Sequence, residues 1–211
     1  MYSPSLDEFL KLAAQGNLIP VTRRMLADFE TPLSAYVKIR GAGESFLFES
    51  VEGGEHIGRY SFVGCNPRAV IKQTENRVEV LENGKVAETF LIERSAALRA
   101  AADTKSEATC ELSSVSAIET AAAGTAALRV KDGLEVVERV MKKYRAVAIP
   151  NLPRFTGGAV GFIGYEFIHD VEPVVPRPQH DELKTPVMYF LVADQLLIFD
   201  RVQQTLTLRS E

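Results

Sequence analysis

The chain has 211 residues, 46% hydrophobic and 25% charged, with a formal net charge of −4, an ordinary composition for a globular protein. It has no long run of basic residues, which argues against nucleic acid or an anionic membrane as a main partner. No apolar stretch is long enough to predict a membrane span. The two cysteines, Cys65 and Cys110, lie far apart and outside any metal-ligand spacing, so we expect a reduced, cytoplasmic protein.

Two helices are predicted near the start of the chain. Ser5 and Glu8 form the Ser-x-x-Glu pattern of a capping box, in which each side chain satisfies a backbone N–H of the first turn. Thr31 and Pro32 provide a cap and a favourable first position for the second helix, because proline lacks the N–H that the first turn leaves unpaired. Gly41 is expected to end that helix.

Residues 45–64 read SFLFESVEGGEHIGRYSFVG and predict a β-hairpin. An apolar strand ends at Glu49 and Ser50, a Gly-Gly pair reverses the chain, and Arg59 and Tyr60 open the returning strand. A carboxylate, a hydroxyl and a guanidinium therefore meet at one strand end. Glu49 would bind an ammonium and Arg59 a carboxylate, so the set suits a zwitterionic ligand. The same residues would also form the charged rim of an ordinary hairpin.

The middle of the chain predicts an antiparallel meander followed by a variable segment. The three strands of the meander are predicted at residues 69–74, 77–81 and 86–91. Asn83 and Gly84 favour a tight turn between the last two, because both residues tolerate positive φ. Residues 92–130 are rich in alanine, serine and threonine. We expect a variable insertion there, with a short helix near 96–102 and then a loosely ordered loop.

Regular elements return after the insertion. The sequence predicts a helix over 132–144, a glycine-rich strand within 154–166, one long strand or two abutting strands over 187–200, and a last strand from 205. The fold class is therefore α+β, mainly antiparallel β-sheet flanked by a few helices. The apolar residues of 159–163 and 187–199 are expected to be exposed, which favours dimers or larger homo-oligomers.

Other kinds of site find little support in the sequence. The glycines between 158 and 164 lack the spacing of a dinucleotide or phosphate loop, and a strand that lets a neighbour pack closely is the better interpretation. Cys65 has no nearby histidine to activate it, and the three histidines lack metal-ligand spacing. Asp194 and Asp200 are interpreted as strand-end or turn carboxylates rather than a catalytic pair.

Three blocks of sequence carry a family resemblance. They are TPLSAY with ESVEGGE and GRYSF in residues 31–64, NLPRFTGGAVGFIGYEFIHDVE in residues 151–172, and DQLLIFDRVQQTLTL in residues 194–208. Together they resemble the N-terminal region of anthranilate synthase component I, of the chorismate-utilising enzyme family. The resemblance implies half of an orthogonal β-sandwich. It also implies that residues 1–211 are a regulatory and scaffold domain without the catalytic C-terminal part, so that this fragment alone is inactive.

The resemblance carries further expectations about activity. The family's full-length enzyme is a lyase of tryptophan biosynthesis that converts chorismate and ammonia to anthranilate and pyruvate. A glutamine amidotransferase subunit (component II) supplies the ammonia, and Mg²⁺ positions the chorismate. The catalytic residues and magnesium ligands would lie outside this chain, with none in the fragment. Six positions match the family's feedback site for L-tryptophan: Glu49, Ser50, Arg59, Phe48, Pro32 and Tyr60.

Two alternatives stay open at the level of sequence. Aminodeoxychorismate synthase component I has the same architecture, and an equivalent pocket there would hold a structural tryptophan. A free-standing amino-acid-binding or interaction domain would need no catalytic partner domain at all. The TP…AY and ESVEGGE…GRYSF motifs fit the anthranilate enzyme better than its aminodeoxychorismate relative.

Overall fold

Two six-stranded sheets carry the fold within the residues that the computed structural model describes, which are 2–49, 58–93, 128–150, 152–172, 174–175 and 181–210. The strands of the first sheet are β1 (Tyr2–Ser3), β2 (Val21–Leu26), β3 (Ser45–Phe48), β4 (Tyr60–Cys65), β11 (Gln195–Asp200) and β12 (Thr205–Ser210). The strands of the second sheet are β5 (Ala69–Thr74), β6 (Arg77–Glu82), β7 (Lys85–Ile92), β8 (Leu128–Val130), β9 (Gly158–Ile163) and β10 (Met188–Ala193).

The helices of the described residues are short and lie between strands. They are α1 (Leu6–Leu12), α2 (Pro32–Ile39), α3 (Gly133–Met141) and α4 (Ile168–Val171), the last preceded by a 3-10 turn at Tyr165–Phe167. The strand order is β1-β2-β12-β11-β4-β3 in the first sheet and β8-β7-β6-β5-β10-β9 in the second. Neighbouring strands are antiparallel except for β7 and β8, which are parallel. The predicted α+β class, mainly antiparallel, is confirmed.

Local sequence signals act where they were predicted. The Ser5–Glu8 capping box begins α1, and the Thr31 side chain accepts a hydrogen bond from the backbone N–H of Ser34 at the start of α2. Asn83 and Gly84 have φ values of 52° and 73°, as the tight turn between β6 and β7 requires. These elements depend on near neighbours in the sequence, which is why short patterns predict them.

The chain passes between the two sheets at two adjacent places. The predicted strand over 187–200 is two abutting strands, and they lie in different sheets, separated only by Asp194. Residues 66–68 make the second crossing, from β4 to β5. The crossings meet where Arg68 Nε donates to Asp194 Oδ2 at 3.0 Å and the Arg68 N–H donates to the Val192 carbonyl at 2.9 Å. This corner fixes the two sheets relative to each other.

Apolar clusters cover both faces of the first sheet. On one face α2 packs on the strands, and the cluster consists of Ala35, Val63, Leu197, Phe199 and Leu206. Between the sheets lie Val160, Ala193, Leu196 and Ile198, with Phe46, Tyr60, Phe62 and Phe155 packed against them. The second sheet packs against α3 through a third cluster that includes Ile71, Val80, Phe90, Val136, Val140 and Met188.

The expected exposure of residues 187–199 is wrong for most of that segment. β10 and β11 are central strands covered by the clusters just described, so Met188, Leu191, Leu196 and Ile198 are all buried. In the edge strand β9 the expectation is met at the C-terminal end, where Phe162 is 48% and Ile163 45% exposed. Self-association of the chain stays a prediction.

The predicted insertion starts and finishes at neighbouring strands. β7 ends at Ile92, and β8 pairs with it so that Ile92 lies opposite Val130. Residues 94–127, with the helix predicted near 96–102 and with Cys110, lie outside the described residues.

Replacing Gly161 by alanine should destabilise the protein by about 1–3 kcal/mol, because the added methyl group has no space. Gly161 lies opposite Phe190, and a Cβ there would be only 1.9 Å from the Tyr189 carbonyl oxygen. The free energy of unfolding in urea measures the effect. Gly43→Ala is the matched control, since its Cβ would have its nearest neighbour at 3.9 Å, and we expect a change within about 0.5 kcal/mol. Equal effects of the two substitutions would contradict the prediction.

Candidate functional site

The β3–β4 hairpin sends alternate side chains to opposite faces of the first sheet. Phe46 belongs to the cluster between the sheets, and Phe48 follows it on that face with a ring-centroid separation of 5.2 Å. Leu47 packs against the cluster beneath α2. Phe48 lies opposite Phe62 in the strand register.

A pocket of about 720 Å³ opens between the hairpin and the second sheet. Its walls are Leu47, Phe48, Glu49, Tyr60 and Phe62 from the first sheet, and Phe155, Ala159, Val160, Gly161 and Phe190 from the second-sheet side. The Phe62 and Phe155 rings meet edge to face with centroids 5.2 Å apart. This size is typical of small-molecule sites, and the aromatic walls suit a flat apolar group.

Arg59 lines a second pocket of about 690 Å³, which shares Tyr60 with the first, and a bidentate ion pair holds it there. Its Nε and Nη2 donate to the two carboxylate oxygens of Asp200 at 3.1 and 2.7 Å, and its guanidinium lies 4.9 Å from the centre of the Tyr60 ring. Asp200 also accepts the backbone N–H groups of Val202 and Gln203. Burial raises the pKa of Asp200, but the hydrogen bonds from Arg59 and the backbone outweigh it and hold that pKa below its usual value.

Glu49 has a second arginine as its partner. Arg201 Nη2 donates to Glu49 Oε1 at 2.7 Å and approaches the hydroxyl of Ser61, which is fully buried, at 3.4 Å. The backbone N–H of Arg201 donates to the Arg59 carbonyl at 3.0 Å. Two ion pairs, Arg59–Asp200 and Arg201–Glu49, therefore lie where β3 and β11 end and β4 begins, and a backbone hydrogen bond between Arg201 and Arg59 links them.

The structure brings together four of the six predicted site residues. Phe48, Glu49 and Tyr60 line one pocket, and Arg59 contacts Tyr60. Pro32 begins α2 on the opposite face of the sheet and is half-buried. Ser50 and the Gly-Gly turn lie outside the described residues.

Sequence reasoning missed Arg201 and the Phe155 wall of the pocket. Arg201 is 152 positions from Glu49, and only the Asp-Arg pair at the end of the IFDR segment hinted at a charged strand end. The interpretation of Asp200 as a turn carboxylate agrees with its backbone contacts.

Other chemistry finds no arrangement to support it in the described part of the chain. Burial raises the pKa of the Cys65 thiol, which makes it a poor nucleophile. His169 Nδ1 lies 3.1 Å from the Val175 carbonyl oxygen. Among the described residues no three His, Cys, Asp or Glu side chains come close enough to hold a metal ion. None of the helices there is long and apolar enough to cross a membrane.

Substituting Asp200 by asparagine should lower the free energy of unfolding by about 1–3 kcal/mol at pH 7, because Arg59 and two backbone N–H groups lose a charged acceptor. The pKa of Asp200 is lower in the folded than in the unfolded protein, so its stabilising contribution is complete above the ordinary value of 3.8. The contribution is lost as the pH falls through the folded-state pKa.

Urea unfolding of Asp200→Asn and the parent protein at pH 7 and at several values below 3.8 tests this. We expect the difference between the two proteins to shrink in acid. The exposed Asp28→Asn is the control for loss of one carboxylate. A difference that is absent at pH 7, or constant with pH, would contradict the assigned role of Asp200.

Comparison with curated proteins finds relatives along nearly the whole chain. This chain is 31% identical over 204 residues to anthranilate synthase component 1 of Acetivibrio thermocellus. The aligned residues make up 97% of this chain and 33% of that protein. The Pseudomonas aeruginosa protein of the same name is 34% identical over 198 residues, covering 93% and 32%. That of Synechocystis is 34% identical over 206 residues, covering 97% and 33%.

Two further comparisons say less. A crystal structure of anthranilate synthase component I from Streptococcus pneumoniae TIGR4 superimposes with a TM-score of 0.44 and 23% identity, over 90% of this chain and 31% of that one. A scan against models of protein families finds no match.

The chain spans about a third of the length of the curated relatives it matches. The matched part is their N-terminal third, which agrees with the resemblance carried by the hairpin and by residues 151–172. Over 93–97% of its own length, this chain is therefore a homologue of the N-terminal third of anthranilate synthase component 1.

Proposed function

We propose that this chain is the regulatory and scaffold part of an anthranilate synthase component I, and that the pocket between its sheets binds L-tryptophan as a feedback inhibitor. The observation that carries the proposal is the aromatic pocket with Glu49 in its wall and Arg59 beside it. The names of the homologues support the choice of enzyme, and the aromatic and charged residues of the pocket support the choice of ligand.

The indole ring of tryptophan matches the aromatic walls. An edge-to-face pair such as Phe62 and Phe155 can take a third ring at favourable geometry. Glu49 is the group for the ligand ammonium, and Arg59 for its carboxylate. Both charges are already paired within the chain, so binding requires that the ligand share or exchange these partners. Ser50, next to Glu49, is proposed as a hydroxyl contact.

The proposed reaction of the whole enzyme takes place outside this chain. It adds ammonia to chorismate and eliminates pyruvate to give anthranilate, with a glutamine amidotransferase subunit as the source of ammonia. Magnesium would position the chorismate carboxylate. On the family resemblance we assign the magnesium ligands and catalytic residues to the remaining two thirds of the enzyme. We place the enzyme in the cytoplasm, where tryptophan biosynthesis would use it.

Inhibition in this scheme is a shift between two states. Tryptophan lowers activity only if it binds a less active arrangement of the whole enzyme more tightly than the active one. Because the pocket walls come from both sheets, a bound ligand would favour one separation of the sheets at that point. The adjoining catalytic part would respond to that separation.

In the full-length protein, Ser50→Ala and Glu49→Gln should each raise the inhibitory concentration of tryptophan roughly tenfold to a hundredfold. Each loses one hydrogen bond to a charged ligand group, which is worth about 1.5–3 kcal/mol. Inhibition is measured relative to the uninhibited turnover of each variant. Glu93→Gln is the control, because Glu93 forms an exposed ion pair with Arg129 away from the pocket. Unchanged inhibition in both site variants would refute the tryptophan site.

The chain by itself should not make anthranilate, because we assign the chorismate and magnesium ligands to the rest of the enzyme. The assay supplies chorismate, magnesium and a high concentration of ammonium, and follows the fluorescence of anthranilate. Turnover clearly above a control without protein would show that this chain contains the active site. The proposed division of roles would then be wrong.

A further inference from the structure

The carboxylate proposed to receive the ligand ammonium is occupied by an arginine of the chain itself. Arg201 Nη2 lies 2.7 Å from Glu49 Oε1, the distance of a charge-assisted hydrogen bond. An ammonium ligand that uses this carboxylate must compete with the guanidinium. Glu49 and Arg201 are 35% and 37% exposed at their side chains, so a competing cation can reach them from solvent.

The neighbouring ion pair is built differently and cannot exchange as easily. Asp200 accepts two hydrogen bonds from Arg59 and two from the backbone N–H groups of the following turn. Its side chain is only 11% exposed. Moving the Asp200 carboxylate away from Arg59 would also break its hydrogen bonds to the turn after β11. Of the two pairs, the one with Arg201 is therefore the exchangeable one.

Arg201 also has a second acceptor near the position it occupies. Its Nη2 lies 3.4 Å from the hydroxyl of Ser61, a longer and weaker contact than that with Glu49. The Arg201 backbone is fixed by its N–H donating to the Arg59 carbonyl. The side chain can thus leave the carboxylate while its main chain stays in place, because four rotatable bonds separate the guanidinium from that anchor.

We infer that Arg201 is a positioning and affinity-setting residue, which neutralises Glu49 in the empty site and is displaced by the ammonium group of the ligand. The inference rests on the proposed function and adds a residue to its site. While the pocket is empty, the pair avoids leaving a partly buried carboxylate without a counter-charge. When an amino acid binds, its ammonium takes the place of the guanidinium, and the cost of separating the pair is subtracted from the affinity.

If Arg201 competes with the ligand, removing it should strengthen tryptophan binding. Removing a purely structural arginine would not. Replacing Arg201 by methionine removes the competitor and keeps an unbranched side chain of moderate length. Partly exposed ion pairs contribute little, so we expect the variant to bind tryptophan roughly two- to fivefold more tightly. A ligand with the same ring and carboxylate but no ammonium gains nothing from the empty Glu49. Its affinity should stay the same or fall.

The test is calorimetric titration of the full-length protein with L-tryptophan and with indole-3-propionate, which lacks only the amino group. The variants are Arg201→Met, Arg201→Lys and Glu49→Gln, and the double variant Arg201→Met with Glu49→Gln. The matched control is Arg129→Met, which removes one exposed arginine from the pair with Glu93 and changes the net charge equally. Arg201→Lys keeps a cation for Glu49 and should remain close to the parent protein.

Tighter tryptophan binding by Arg201→Met alone, with no gain for indole-3-propionate and none in the Glu49→Gln background, would support the inference. Unchanged or weaker tryptophan binding by Arg201→Met, in a protein whose parent binds tryptophan, would overturn the role of Arg201 and leave the proposed function standing. An equal gain for both ligands would also overturn it, because the effect would then not pass through the ammonium. If the parent protein does not bind tryptophan, the proposed function fails, and this inference fails with it.

Discussion

The relative position of the two sheets depends on the corner where the chain crosses between them twice. β4 leads into β5 through three residues, and β11 follows β10 after Asp194 alone. The strands pair on both sides of the corner, with Leu196 opposite Gly64 in the first sheet and Val192 opposite Ala69 in the second. With connections this short, neither sheet can slide without breaking the pairing of the other.

An ion pair holds this corner from within. Arg68 and Asp194 come from the two different crossings, and the carboxylate side chain is only 13% exposed. Its Oδ1 has no hydrogen-bond partner among the described protein atoms, so Arg68 is the group that compensates its burial. Removing one partner of such a pair lowers the free energy of unfolding by more than the intact pair contributes, because the remaining charge stays partly desolvated. Because the walls of the pocket belong to both sheets, its width depends on how this corner holds them.

The sequence predicts the features that depend on residues close together in the chain, and it does not predict those that depend on distant residues. Helix caps, the Asn83-Gly84 turn and the apolar strands of the hairpin involve residues within a few positions of one another, and the structure has them. The division of residues 187–200 between two sheets was open, because an unbroken apolar run does not show which sheet covers it. The exposure expected there was wrong because central strands of both sheets bury that run.

The same difference separates the residues of the candidate site that the sequence predicted from those that it missed. Phe48, Glu49 and Tyr60 lie in or next to the paired strands β3 and β4, so their proximity follows from that pairing. Arg201 and Phe155 reach the site from distant parts of the chain, and their contacts depend on strand order, which local patterns do not contain. The alternation of side chains along β3 explains why Phe46 and Phe48 lie on the same face of the first sheet.

The parallel pair β7–β8 marks a place where the chain can tolerate changes in length. Ile92 and Val130 are held side by side at one edge of the second sheet, so the segment between them begins and ends at almost the same place. The entropy of closing such a segment grows only with the logarithm of its length, about 0.6 kcal/mol for each doubling. The pocket touches β9 and β10 towards the opposite edge, three to five strand spacings or roughly 14–24 Å away. Evolution could lengthen or shorten the protein here, and an engineer could graft a reporter domain here, without reshaping the pocket.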